Sequence, residues 1–121
     1  MTEAAVALRR GMVVWAAPDP AAGREQSGRR PVLVVSSQLY LQAVSELVLT
    51  IPVTTRDRGW PNHVRLRGDL SLGQDCFAMT EQVRATSRSR LGKVVGAVDG
   101  ATMSAIDGWL RDFLALPARA G

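Results

Sequence analysis

Two apolar runs constrain this chain more than any other feature. Residues 31–36 read PVLVVS and residues 47–53 read LVLTIPV. Both are rich in β-branched side chains, whose stiff rotamers suit a pleated strand better than a helix. The first run is continuously apolar, the pattern of a strand with little solvent exposure. Only a short, irregular stretch over 37–45 separates the two runs. Strands so closely spaced favour antiparallel pairing.

Shorter strands are expected on either side. Gly11 opens the run MVVWA over 12–16, and further segments follow at 63–66, 74–79 and 93–98. Between the first two strands, residues 17–30 read APDPAAGREQSGRR, a loop long enough to be functional or mobile. A second turn-rich, basic loop covers 55–61. The last element is helical, because Met103, Ile106, Leu110, Phe113 and Leu114 recur at spacings of three and four. Asp99 or Thr102 is placed to cap its start, Pro117 marks its end, and Gly108 weakens it from within. The expected fold is one domain over 1–121, mainly β with a C-terminal α-helix, in a small curled sheet or barrel. Residues 1–10 form a tail.

A chain of 121 residues, 46% of them hydrophobic, can bury one modest core. Its formal charge is +4, and fourteen of its fifteen cations are Arg, with Lys93 the exception. Arg presents a planar fork that grips phosphate through two parallel hydrogen bonds. This basic balance fits a nucleic-acid partner; a GC-rich genome would give the same bias, so composition leaves both readings open. Cys76 is the one cysteine and sits in an apolar run, the setting of a buried thiol rather than a nucleophile. With one Cys and one His at no ligand spacing, no metal site and no cofactor are implied. Neither a signal peptide nor a membrane-length apolar run is present, so a cytoplasmic location and no membrane partner are expected.

Antiparallel pairing of the two main strands brings the start of the first beside the end of the second. Arg30 then lies close to Thr54, with Arg29, Arg56 and Arg58 in the adjoining loops. A guanidinium and a hydroxyl converge at one end of a rigid sheet, flanked by more positive charge. Such a rim suits a phosphodiester. The loop over 17–30 brings Glu25 and Gln26 to the same place, and 55–61 adds Trp60, either as a shelf for a base or as a cap on the core. His63, the single His, falls on a strand expected to be exposed.

Four blocks carry a family resemblance. They are RGMVVW at 10–15, GREQSGRRPVLVVS at 23–36, IPVTT with RGWP over 51–61, and MTEQVR at 79–84. In this order they resemble the MazF/PemK family of toxin endoribonucleases, over roughly residues 10–115. The resemblance implies an SH3-like barrel, a homodimer, and metal-independent, sequence-selective cleavage of single-stranded RNA. It makes Arg30 the main catalytic residue, Thr54 its partner and Glu25 a shaper of the site or a proton carrier. Gln82 and Arg84 would lie near the RNA groove, with Gln26, Arg29, Arg56, Arg58 and Trp60 as further RNA contacts. A cognate antitoxin with an acidic, disordered tail would cover that groove. The chain departs from the family pattern at Met12, where Asp is usual, at Leu41 after Tyr40, where Asn is usual, and at Arg58, where Lys is common. Two alternatives stay open, a gyrase-poisoning toxin of the same fold and a non-catalytic RNA-binding module.

Overall fold

The structure, a computed structural model, describes residues 7–18 and 28–117. Its strands are β1 (Met12–Ala16), β2 (Arg30–Val34), β3 (Leu47–Thr54), β4 (His63–Arg65), β5 (Gly68–Leu70), β6 (Phe77–Met79), β7 (Arg84–Ser87) and β8 (Leu91–Val98). Two helices accompany them, α1 (Gln38–Ala43) and α2 (Gly100–Leu114), with single helical turns at Thr80–Gln82 and Arg88–Arg90. Among the described residues the strands form one antiparallel sheet in the order β4-β6-β3-β2-β1-β8-β5, and β7 pairs with the first half of β3. The sheet is not closed, since its end strands β4 and β5 are not partners. Mainly β with a C-terminal helix is the expected class, and the structure has it.

The central strands are apolar on both faces because both faces are covered. Val13, Leu33, Ile51 and Val53 pack on one side with Ile106 of α2. Met12, Val14, Val32, Val34 and Val48 pack on the other with Leu8 and with Leu41 of α1. A strand sandwiched in this way has no solvent side to mark, so its hydrophobic run does not alternate. Ile106 is fully buried, and truncating it to Ala would cost about 2–5 kcal/mol. Buried hydroxyls beneath the sheet are matched: the Thr50 and Thr86 hydroxyls lie 2.7 Å apart, and Ser36 Oγ accepts from Leu49 N at 2.6 Å.

Several elements differ from the sequence expectation. The stretch over 37–45 is not irregular, because Ser37 caps α1 by accepting from Tyr40 N at 3.0 Å. With one buried side chain, Leu41, α1 is too short to show a helical period. β5 and β7 are polar strands held by pairing rather than by burial. The strand expected over 74–79 is confined to Phe77–Met79, and β2 starts at Arg30, which takes Arg30 out of the loop and onto the sheet. The tail expected over 1–10 docks at its end: Leu8 is buried, and Arg10 donates from Nε to Val35 O at 3.0 Å and pairs with Asp107 of α2.

Asp99 is the cap of α2, its carboxylate accepting from Thr102 N at 2.9 Å. The helix stops at Leu114, where Ala115 turns left-handed at φ 56°, two residues before Pro117. Close approach of backbone demands glycine at two positions, Gly68 and Gly96. Gly96, at φ +153°, sits where the β1–β8 register shifts, and any Cβ there would run into the Asp69 carbonyl of β5. No helix among the described residues is long and apolar enough to cross a membrane.

Candidate functional site

The register of β2 and β3 builds the site. Val32 faces Pro52, Leu33 faces Ile51 and Val34 faces Thr50. Carried two residues further, this register sets Arg30 across from Thr54 at the rim of the sheet. Arg30 also pairs with Ala16 of β1 on its other side. Its side chain thus emerges between the ends of two neighbouring strands whose positions the core fixes.

A cleft of about 520 Å³ opens at this rim, lined by Arg30, Thr54 and Thr55, by Val32, Val53, Cys76 and Met79, and by Gln82 and Arg84 beyond them. Arg90, in the turn before β8, lines it as well. Among the described residues all three charged residues of the lining are Arg, with no Asp or Glu. None of the three takes part in an ion pair among the described residues. Unneutralised guanidinium groups around one concavity attract a polyanion and match its phosphate oxygens.

Thr54 is oriented as a donor. Its Oγ1 accepts from Arg56 N at 3.1 Å, which fixes the rotamer and leaves the hydroxyl hydrogen free. Arg90 clamps the start of the long loop: Nε donates to Ala17 O at 2.9 Å, and the Arg90 carbonyl accepts from Ala17 N at 2.8 Å. Sequence reasoning missed this residue. The nearby Arg88 looks the same in sequence yet donates to the Leu41, Val44 and Ser45 carbonyls, where a cation favours the C-terminal end of α1. Burial, with Asp75 beside it, pushes the Cys76 thiol up from its ordinary value, so the thiol stays neutral.

The remaining expected residues divide. Gln82 and Arg84 join Arg30 and Thr54 in the lining, whereas Arg29, Arg56, Arg58 and Trp60 lie outside it. Glu25 and Gln26 fall outside the described residues. Trp60 is 49% exposed, with the Arg58 guanidinium 5.7 Å from its ring centre and the His63 ring 4.7 Å away. It is neither a core cap nor a free side chain, but a half-exposed ring held by two neighbours.

His63 corrects a second expectation. Its strand is not exposed there: the side chain is 1% exposed, and Nε2 lies 3.0 Å from Glu81 Oε1. Partial burial works to raise the Glu81 carboxyl. Hydrogen bonds from His63, from its own amide and from Gln82 outweigh that and hold it below the ordinary carboxylate value.

Comparison with known proteins follows the same outline. A family described as PemK-like, MazF-like toxin of type II toxin-antitoxin system matches residues 9–114. The endoribonuclease toxin MazF of Escherichia coli (strain K12) is 35% identical over 75 residues, 62% of this chain and 64% of that protein, so this match spans less than two thirds of the relative. Endoribonuclease MazF9 of Mycobacterium tuberculosis is 31% identical over 106 residues, 83% of this chain and 90% of that protein. Among solved structures, a MazE–MazF crystal structure (form II) from Deinococcus radiodurans superposes with a TM-score of 0.76 at 30% identity, covering 91% of this chain and 97% of that one. The two central strands, the capped C-terminal helix and the arginine-lined rim thus stand in a chain that belongs to the PemK-like, MazF-like toxins of type II toxin–antitoxin systems.

Proposed function

We propose that this protein is a sequence-selective endoribonuclease that cleaves single-stranded RNA without a metal, as the cytoplasmic, homodimeric toxin of a toxin–antitoxin pair. The observation that carries the proposal is the register that sets Arg30 across from Thr54 in a cleft whose charged lining, among the described residues, is all Arg. The relatives' names support the activity, and the MazE–MazF complexes support an antitoxin partner. That partner would be a small protein with an acidic, disordered tail, matched in charge to the cleft.

RNA carries its own nucleophile. The ribose 2′-oxygen attacks phosphorus, its proton passes to a base, and the 5′-oxygen leaves with a proton supplied to it. The products are a 2′,3′-cyclic phosphate and a 5′-hydroxyl. Arg30 donates to the non-bridging oxygens as charge builds on them, and Thr54 adds a neutral donor to the same group. Arg stays protonated and is a poor base. Glu25, five positions before Arg30 in the sequence, is the candidate proton acceptor. Gln82 and Arg84 contact the flanking nucleotides from the cleft wall, with Arg29, Arg56, Arg58, Trp60 and Gln26 as outer contacts.

Incubating the purified protein with single-stranded RNA in EDTA tests the proposal. Expected are fragments ending in a cyclic phosphate, no cutting of an oligonucleotide with 2′-deoxyribose at the cut site, and cutting slowed at least about 10²-fold by Thr54→Ala and about 10³-fold by Arg30→Ala. Intact RNA with arrested DNA supercoiling would instead make this chain a gyrase poison. Salt-sensitive RNA binding without fragments would make it a binding module.

A further inference from the structure

The chemistry above leaves the one buried imidazole unused. His63 Nε2 faces both oxygens of Glu81, at 3.0 and 3.1 Å. A carboxylate only accepts, so Nε2 carries a proton and donates, which leaves Nδ1 as the other ring nitrogen. That Nδ1 is buried with no partner among the described residues. A phenyl ring in its place would fill the same space without stranding a polar atom, so the imidazole is there at a cost in stability.

What the bond holds is the wall of the cleft. The helical turn Thr80–Gln82 has no side-chain cap of its own. It is tied down from outside, by Glu81 to His63, by Asn62 Nδ2 donating to Glu81 Oε1 at 2.8 Å, and by Thr80 Oγ1 donating to Asn62 O at 2.6 Å. From Glu81 the contacts close a circuit. Gln82 Nε2 reaches Glu81 at 3.3 Å and Met79 Sδ at 3.6 Å; Arg58 reaches the same sulfur at 3.8 Å and covers Trp60; Trp60 returns to His63. Two members of the circuit, Met79 and Gln82, line the cleft, and Trp60 presents a half-exposed ring beside it.

We propose that His63 and Glu81 are positioning residues for RNA recognition: their bond fixes the turn that presents Gln82 to the cleft and seats Trp60 as a stacking shelf, and so sets which sequences are cut. This rests on the ribonuclease reading and adds the means by which the same site selects its substrate. The pair touches neither Arg30 nor Thr54, so the chemical step does not depend on it.

The test uses the full chain and a pool of single-stranded RNA of random sequence, with cut sites read from the 5′ ends of the fragments. The best-cut sequence is then made as an oligonucleotide for kinetics. His63→Phe keeps the ring packing against Trp60 and removes the bond. It is expected to melt at or above the wild-type temperature, to raise KM about tenfold, the size of a lost hydrogen bond to a charged group, and to leave kcat within about twofold. Its cut sites should spread over more sequences. Glu81→Ala should do the same, whereas Glu81→Gln keeps an acceptor for Nε2 and should restore both KM and the cutting pattern. Wild-type KM and cut sites in His63→Phe overturn the proposal. So does a loss that appears only in melting temperature and kcat, which marks a merely structural pair. A wild-type chain that cuts nothing in the pool removes the ribonuclease reading and the positioning role with it; an active wild type with indifferent variants removes the positioning role alone.

Discussion

Replacing Arg30 separates charge from geometry at the rim. Its side chain is exposed and makes no hydrogen bond or ion pair among the described residues, so Arg30→Lys and Arg30→Ala should change stability by no more than about 0.5 kcal/mol. The catalytic effect has a different scale. A guanidinium fork offers a phosphate two parallel donors, and one donor aimed at a developing oxyanion is worth about 2.7–4 kcal/mol, a factor of about 10²–10³ in rate. Lys keeps the charge but loses the planar fork of two parallel donors, so Arg30→Lys should lower kcat about 10²-fold; Ala keeps neither charge nor donors and should lower it by at least about 10³-fold. KM should move much less, because Arg84 and Arg90 still line the cleft. Single-turnover cleavage of a fluorogenic RNA oligonucleotide in EDTA measures the rates, and thermal melting of the same preparations measures stability. A Lys variant as fast as wild type would show that the fork does nothing. An Ala variant within tenfold of wild type would remove Arg30 from the reaction, and one that melted far below wild type would make it structural.

At Thr54, Val removes the free hydroxyl hydrogen and Ser restores it, so Thr54→Val should cut about 10²-fold more slowly than wild type while Thr54→Ser stays close to it, measured by the same cleavage assay. Three cleft guanidinium groups predict that log K for a non-cleavable 2′-O-methyl RNA falls with log salt at a slope of about −2, and Arg84→Ala should flatten it by about 0.7; an unchanged slope would take Arg84 out of the RNA path. The Asp99 carboxyl is held below its ordinary value of 3.8, first by the bonds to Thr102. Its contribution to stability is therefore complete above that ordinary value and lost as pH falls through the lower folded value, so Asp99→Asn should flatten the acid limb of the melting curve against pH while keeping the cap. Gly96→Ala combines left-handed strain with a clash against the Asp69 carbonyl and should cost about 2–6 kcal/mol in urea unfolding; a loss under 0.5 kcal/mol would mean that β5 does not pack on β8 there.

What was legible in the sequence follows the physics of each element. The two main strands announced themselves because both their faces are buried, which concentrates β-branched residues in unbroken runs. α2 was legible through its apolar face and its Asp99 cap. Their pairing, and with it the meeting of Arg30 and Thr54, followed from direction alone. β5 and β7 were not legible, because Gly68–Leu70 and Arg84–Ser87 carry no hydrophobic pattern and exist through their partners' hydrogen bonds. Nor was Arg90 separable from Arg88, since only the fold decides that one guanidinium reaches Ala17 and the other reaches α1. His63 misled because a three-residue strand gives too short a pattern to tell inside from outside, and its partner Glu81 lies eighteen positions away.

These differences divide the site into two mechanical parts. Arg30 and Thr54 stand at the ends of strands buried on both faces, so their separation is set by the core and is stiff. Gln82 stands on an uncapped turn, and Trp60 on a loop, both held by side-chain contacts at the surface of the sheet. Positions held by a packed core tolerate little displacement, while positions held by a few polar contacts can be re-set by single substitutions. Changes along the 58–63 and 79–82 segments should accordingly redirect which RNA sequences are cut while the rate at the best sequence survives, and changes in the buried core of β2 and β3, such as Leu33→Ala or Ile51→Ala, should lower that rate without redirecting the cuts. On the proposed reading, chemistry and recognition rest on different supports, so single substitutions should alter them separately.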